Sequence, residues 1–273
     1  MCCLYVDLDG TLLGPGGAIT HDADRRFTLS AMRAVEACAR AEAEVVLMSG
    51  RRQAGVAEIA RLLGQTSYIF EAGSAVVLEG EEHWLTGEWR PGARSIHDQI
   101  DDCGAPALLL ERYAGRLEYH DPWHRNREVS HLFRGLVDAF EVDALLAEHG
   151  HGGLRLVDNG AAHGRSEALG DLQQIRVYHL VPEGSSKAAA VVTHMRMRGY
   201  DPADCIAVGD SREDLAVAPH VGAFWLVANA LASDPTIRDA IGAQDGKVRI
   251  AEASHGAGVY EAVVTTLAER GAG

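Results

Sequence analysis

The chain begins on an apolar run, Leu4, Tyr5 and Val6, which stops at Asp7 and breaks at Gly10. A short β-prone run closed by a glycine predicts a buried strand entering a turn. Leu29, Met32, Val35 and Ala39 then recur at helical spacing, with Arg33, Glu36 and Arg40 on the other side, which predicts a helix over about residues 28 to 41. A second buried strand is expected at 44 to 48, where Val45, Val46 and Leu47 are consecutive. Val56, Ile59, Ala60 and Leu63 mark a second helix that ends at Gly64, and 68 to 70 reads as a third strand. Strands and helices alternating at this pitch imply right-handed crossovers and an α/β fold built on a doubly wound parallel sheet.

The alternation breaks from about residue 83 to 178. Short β-like runs at 108 to 110, 117 to 119 and 154 to 157 mix there with a helix-like run at 132 to 148, a pattern that predicts an inserted α+β module. Parallel character is expected to return with a strand at 177 to 181, a helix at 186 to 198 and strands at 205 to 208 and 224 to 228. A closing helix at 259 to 268 carries Val259, Val263 and Leu267 on one face. The expected organisation is a discontinuous core, residues 1–82 and 179–273, around an insert at 83–178. No internal repeat or low-complexity linker interrupts it.

With 273 residues, 47% of them apolar, the chain can bury a substantial core. No apolar stretch is long enough to cross a bilayer, and the first residues enter a strand directly, so a soluble, cytoplasmic protein with no membrane partner is expected. Cys2, Cys3, Cys38, Cys103 and Cys205 are scattered and form no C-x-x-C pair. That suits a reducing compartment better than a disulfide framework or zinc cluster, and no function is expected of them. A formal charge of -14 opposes non-specific binding to nucleic acid. The same field repels a phosphorylated ligand at long range, so such a ligand needs a local positive centre from a metal, Lys or Arg.

Ligands of open parallel sheets bind beyond the carboxyl ends of the strands, which makes the residues there the informative ones. Asp7 and Asp9 end the first strand; being two apart, they share a face and can converge on one point. Two like charges held close persist mainly where a cation neutralises them or where they perform chemistry. Ser49-Gly50-Arg51 follows the second strand, Lys187 opens the helix after 177 to 181, and Gly209-Asp210-Ser211-Arg212-Glu213-Asp214 follows the strand at 205 to 208. The insert concentrates His120, His124, Arg125, Arg127, His131 and Arg134, groups suited to an anionic or hydroxylated ligand.

In their order, D-x-D-G-T-L at Asp7, the Ser after strand two, the Lys and G-D-S-x-x-D resemble the haloacid dehalogenase superfamily of phosphohydrolases over nearly the whole chain. The insert beside Glu71-Ala72-Gly73-Ser74 is similar to a large C2-type cap, found in Cof-like, sucrose-phosphate and mannosyl-3-phosphoglycerate phosphatases. Asp201-Pro202 and Val227-Ala228-Asn229-Ala230 continue the agreement. The resemblance implies an α/β core with a cap and a Mg²⁺-dependent phosphatase acting on a small phosphorylated sugar or glycosyl phosphoglycerate. It implies that Asp7 attacks phosphorus to form an aspartyl-phosphate and that Asp9 is the acid and base. Mg²⁺ is then held by Asp7, the Asp9 carbonyl and Asp210, with Asp214 supporting, while Ser49, Gly50 and Lys187 bind phosphate. Asn126-Arg127-Glu128-Val129-Ser130-His131 is similar to a mannosyl-3-phosphoglycerate phosphatase segment, and Arg127, Glu128 and His131 are expected to reach the substrate from the cap. The chain departs from the family at Glu213, where Asn is usual. A sugar phosphomutase, or a non-catalytic protein that binds a phosphorylated ligand, would carry the same groups.

Overall fold

The computed structural model describes every residue except 162–165, 171, 243–245 and 272–273. Before the cap the chain forms strands β1 (Cys3–Asp7), β2 (Glu44–Met48), β3 (Ser67–Phe70), β4 (Ala75–Leu78) and β5 (Glu81–Trp84), with helices α1 (Ser30–Arg40) and α2 (Gln53–Leu62) between the first three. The cap contributes α3 (Ile96–Asp102), α4 (Ala105–Arg112), β6 (Leu117–Tyr119), β7 (His131–Gly135), α5 (Ala139–Glu148), β8 (Leu154–Ala161) and β9 (Arg176–Pro182). The core resumes with α6 (Lys187–Arg198), β10 (Cys205–Gly209), α7 (Arg212–Leu215), β11 (Ala223–Leu226), α8 (Asn229–Ser233), α9 (Ile237–Ile241), β12 (Val248–Ile250) and α10 (His255–Gly271). Among the described residues no helix is long and apolar enough to cross a membrane.

The core sheet runs β12-β11-β10-β1-β2-β3-β4-β5, parallel from β12 through β3 and antiparallel beyond. β1 lies at its centre and every residue of it is buried, as a strand covered by helices on both faces must be. Alternate side chains divide between two apolar layers. Leu4 and Val6 pack with Val45, Leu47 and Val208 on one face, and Cys3 and Tyr5 with Val46, Met48 and Phe224 on the other.

The first helix turns a different face inward than its spacing suggests. Leu29 and Met32 are exposed, and the buried residues are Ala31, Ala34 and Cys38. α10 crosses α1 so closely that a Cβ on Gly256 would lie 2.6 Å from that of Ala31, so small residues occupy the contact and the larger ones are excluded. Two runs in the insert also differ from expectation. Residues 108 to 110 belong to helix α4, started by Pro106, and the run at 132 to 148 is strand β7 followed by α5. The missed boundary signal is Asp138, whose carboxylate accepts the Phe140 and Glu141 amides at the start of α5.

The cap sheet is antiparallel, in the order β6-β7-β9-β8. The strand expected at 177 to 181 in the returning core is β9, paired with β7 and β8, so the chain re-enters the core after Pro182. Residues 179 to 182 therefore lie in the cap sheet and not in the second core segment. β9 was misplaced because an apolar run carries no mark of which sheet it joins.

Core and cap meet at Glu71. This fully buried carboxylate follows β3 and accepts the backbone N–H groups of Glu128, Val129 and Ser130 at 2.8, 3.2 and 2.5 Å and the Ser130 hydroxyl at 2.7 Å. Burial opposes its charge, but the Arg127 guanidinium at 3.8 Å and the amide donors outweigh it and hold its pKa below the ordinary carboxylate value. Replacing Glu71 by Ala leaves those donors buried without an acceptor, and a loss of roughly 3 kcal/mol is expected in urea unfolding. Glu71→Gln, which keeps one oxygen acceptor, should lose less. Equal stability of Glu71→Ala and wild type would show that the seam is held elsewhere.

Candidate active site

Register brings the strand-end residues together. β1 pairs with β10 so that Val6 is level with Val208, and with β2 so that Asp7 is level with Met48. Asp7, Asp210 and Ser49 therefore emerge side by side where the crossovers leave β1 in opposite directions, the position at which open α/β sheets bind ligands. Gly10 follows at a φ of +87°, and a Cβ there would lie 2.1 Å from Asp210 Oδ2, so only glycine lets that carboxylate sit over the turn. The Gly10 carbonyl accepts from Asn229 Nδ2 at 2.8 Å and His255 Nδ1 at 2.9 Å, which places the Val227–Ala230 motif as a brace for the turn.

Lys187 is the centre of the site. Its fully buried ammonium donates to Asp7 Oδ1 at 2.7 Å and to Asp214 Oδ1 at 2.6 Å. Burial alone would lower the lysine pKa; Asp214 and Asp7 outweigh it and raise it, so the ammonium stays charged. The other oxygen of Asp214 accepts the Asp210 and Ser211 amides at 3.2 and 3.0 Å and the Ser211 hydroxyl at 2.7 Å, and Ser211 caps α7 in return. Asp7, Asp210 and Asp214 each place an oxygen within 4.8 Å of the others. Burial pushes the Asp7 pKa up to about 7, with Asp214 adding to it and Lys187 opposing; burial and the same neighbouring carboxylates raise Asp210. One ammonium against three carboxylates leaves a centre of negative charge in a dry setting, lined by hard oxygen donors.

Asp9 does not join the three carboxylates. Its exposed side chain forms a two-bond pair with Arg51, Nε to Oδ2 at 2.6 Å and Nη2 to Oδ1 at 2.5 Å. Arg51 stands in the Ser-Gly-Arg segment, but its alignment with Asp9 depends on how the β1 and β2 ends face each other, which the segment alone does not reveal. The Ser49 hydroxyl oxygen accepts the Arg51 amide at 3.1 Å, which leaves its proton free to donate. Glu213 points away from the carboxylate group: its Oε1 accepts the Lys187 amide at 3.1 Å, and its Oε2 lies 3.7 Å from Arg155 on β8. The departure from the family pattern thus acts as a cap on α6 and a link to the cap domain.

Of the three cap residues expected to face a substrate, Arg127 and Glu128 sit in the seam and His131 lies inside the cap. Arg127 is buried and donates to the carbonyls of Trp123 and Gly50 and to the Ser130 hydroxyl. Glu128 accepts the Gln53 amide at 3.4 Å, and burial beside the Glu71 carboxylate pushes its pKa up to about 8. His131 is buried within the cap, stacked on His97 with ring centres 3.8 Å apart and bonded to Tyr119. Arg127 is charged yet buried because Glu71 compensates it, a pairing between segments 56 positions apart that composition does not show. The groups that do press on the Ser49-Gly50 turn are His179 and Asn159. A Cβ on Gly50 would lie 2.7 Å from His179 Nε2 and 3.2 Å from Asn159 Nδ2. Burial holds the His179 pKa well below its ordinary value, so it meets the turn as a neutral imidazole.

No family model matches the chain. Over 231 residues, 83% of this chain and 84% of the relative, it is 27% identical to a phosphoglycolate phosphatase of Methanoculleus marisnigri. The structure superposes on the sucrose-phosphatase of Synechocystis sp., solved with sucrose and phosphate, with a TM-score of 0.68 at 17% identity over 97% of each chain. It superposes on a subclass IIB sugar phosphatase of the haloacid dehalogenase superfamily with a TM-score of 0.60 at 14% identity, over 99% of this chain and 98% of that one. The structural likenesses carry the fold, and the sequence relatives and the gathered motif residues agree with it. The fold is that of the haloacid dehalogenase-like hydrolases that carry a cap, and the sequence relatives the chain resembles are phosphatases.

Proposed function

We propose that the protein hydrolyses the phosphomonoester of a small phosphorylated sugar or sugar-like acid, glycosyl phosphoglycerates included, by a Mg²⁺-dependent route through an aspartyl-phosphate on Asp7. The observation that supports this most is the buried Lys187 ammonium bonded to Asp7 and Asp214 with Asp210 alongside. An all-oxygen donor set with excess negative charge fits a hard divalent cation. Asp7, Asp210 and the Asp9 backbone carbonyl would hold Mg²⁺, and Asp214 would support them from its bonds to Lys187 and Ser211. When bound, the ion neutralises charge on the transferring phosphoryl oxygens.

The Asp7 carboxylate, aimed by its bond to Lys187, attacks phosphorus as the bond to the leaving oxygen breaks. Asp9, released from Arg51, gives that oxygen its proton, and the alcohol departs. Asp9 then takes a proton from water, the water oxygen bonds to phosphorus, and the bond to Asp7 breaks, which returns the carboxylate and frees phosphate. The Ser49 hydroxyl and the Gly50 amide donate to the phosphoryl oxygens, and Lys187 supplies a fixed positive charge. Neutral His179 and the Asn159 amide suit hydroxyl groups on the part of the substrate that is not transferred.

Release of phosphate from a panel of phosphorylated sugars and glycosyl phosphoglycerates tests the reading. Asp7→Asn should lower kcat on the order of 10³-fold or more, since an amide cannot form the acyl phosphate. Near-normal turnover by that variant would sink it. His179→Ala should raise KM for the preferred sugar phosphate on the order of 10-fold and leave a small aryl phosphate unaffected.

A separate outcome concerns stability. Between the ordinary carboxylate pKa and about 7, folded Asp7 without a cation holds a proton that the unfolded chain has lost, so this group makes the metal-free protein less stable as pH rises through that window. Mg²⁺ should remove the loss, read as a Tm difference between EDTA and Mg²⁺ that widens from pH 5 to 7.5. Asp210→Asn should stabilise the EDTA-treated protein by about 1–2 kcal/mol and abolish most of the Mg²⁺-induced shift. A Tm indifferent to Mg²⁺ at every pH would contradict cation binding at these carboxylates.

A further inference from the structure

A second group of donors meets at the opposite end of β1. Cys3 opens β1 level with Glu44 at the start of β2 and with Cys205 at the start of β10, because both ladders pair it in register. His194 reaches the same place from α6, and one donor atom each from Cys3, Glu44 and His194 lies within 4.8 Å of the other two. His194 is fully buried. The Tyr5 hydroxyl is 2.9 Å from its Nδ1, while its Nε2 has no hydrogen-bond partner among the described residues and sits 3.7 Å from Glu44 Oε1. A buried polar group left unpartnered costs on the order of 1–3 kcal/mol. Metal-binding histidines, by contrast, have one ring nitrogen free for the ion and the other fixed by a hydrogen bond, as Tyr5 fixes this one. Further sulfur is at hand: Cys205 lies beside Cys3 in the ladder, and its Sγ is 3.7 Å from that of Cys2. Four residue-to-residue steps of strand, roughly 13 Å, separate this cluster from Asp7.

We propose that Cys3, His194 and Glu44 bind one divalent cation of the zinc class. Sulfur, imidazole nitrogen and carboxylate oxygen are the donors such an ion selects, and they differ from the all-oxygen set at the other end of the strand. Glu44 also accepts from Arg198 at 2.9 Å, Ser67 at 2.5 Å and Tyr200 at 2.8 Å, which holds its carboxylate in place beside the Cys3 sulfur. The Cys3 thiol gives its proton to solvent as its metal–sulfur bond forms, and no oxidation state changes. The ion would tie β1, β2, β10 and α6 together at the end of the sheet remote from phosphoryl transfer.

Cobalt(II), added to the full-length protein with Mg²⁺ in excess, is the probe. A thiolate-to-cobalt charge-transfer band that saturates at one ion per chain and is bleached by zinc is expected. It should persist in Asp210→Asn and vanish in Cys3→Ser. No band in the wild type, or a band that survives Cys3→Ser and disappears in Cys103→Ser, overturns the site. Because Cys3 lies in the core, X-ray absorption of the zinc-loaded wild-type protein gives an answer without a variant. Sulfur and nitrogen around the ion support the proposal, and an all-oxygen environment refutes it.

Discussion

One ammonium serves three clustered carboxylates, Asp7 and Asp214 buried and Asp210 half-buried. Taking Asp7, Asp210 and Asp214 out of water is costly, and a single lysine can only partly offset it, so the surrounding structure is arranged around that deficit. Asp214 is held by amides and a hydroxyl as well as by Lys187, which fixes where the ammonium sits. Asp210 closes over a glycine that has no side chain to obstruct it. α6 begins at the lysine itself, with Ser186 capping the helix and Glu213 accepting the Lys187 amide, so backbone and side chain of this residue are both anchored. The position of β1 between β10 and β2 follows from the same requirement, since each neighbouring strand delivers one further group to the edge of the first.

The seam between core and cap uses the same physics with the signs reversed. Glu71 puts a buried carboxylate on the core side of the seam, and the cap surrounds it with three amides, a hydroxyl and a guanidinium. The cap is therefore seated by a strongly directional set of bonds, and the segment that supplies them runs straight into β7. Arg127, held between Glu71 and the Gly50 carbonyl, connects this seat to the turn expected to meet phosphate.

What could be read from the sequence was local in origin. The polar groups after β1, β2 and β10 stood out because each interrupts an apolar run, and the parallel sheet then places those interruptions along one edge. The inward face of α1 was not readable, because Leu29 and Met32 are the more apolar choice and only the close approach of α10 selects Ala31 and Ala34. β9 was assigned to the wrong sheet because its partners β7 and β8 are defined by pairing and not by its own composition. Arg127 and His131 looked like ligands because a charged or titratable side chain usually implies exposure; the carboxylate and ring stacking that bury them lie on other segments. Cys3 and Cys205 are about 200 positions apart in sequence and neighbours in the ladder, a proximity created entirely by the order of strands.

The short link from β9 to α6 sets the mechanics of the cap. Pro182 and Lys187 are separated by four residues, and the link is pinned at both ends: Glu183 donates to the Gly153 carbonyl, and the backbone of Ser186 lies against Gly73 with no room for a side chain between them. So short a tether cannot accommodate a wide swing of the cap's last strand. The end of the cap sheet and the start of α6 are thus mechanically coupled: any shift of β9 is carried within four residues to Lys187.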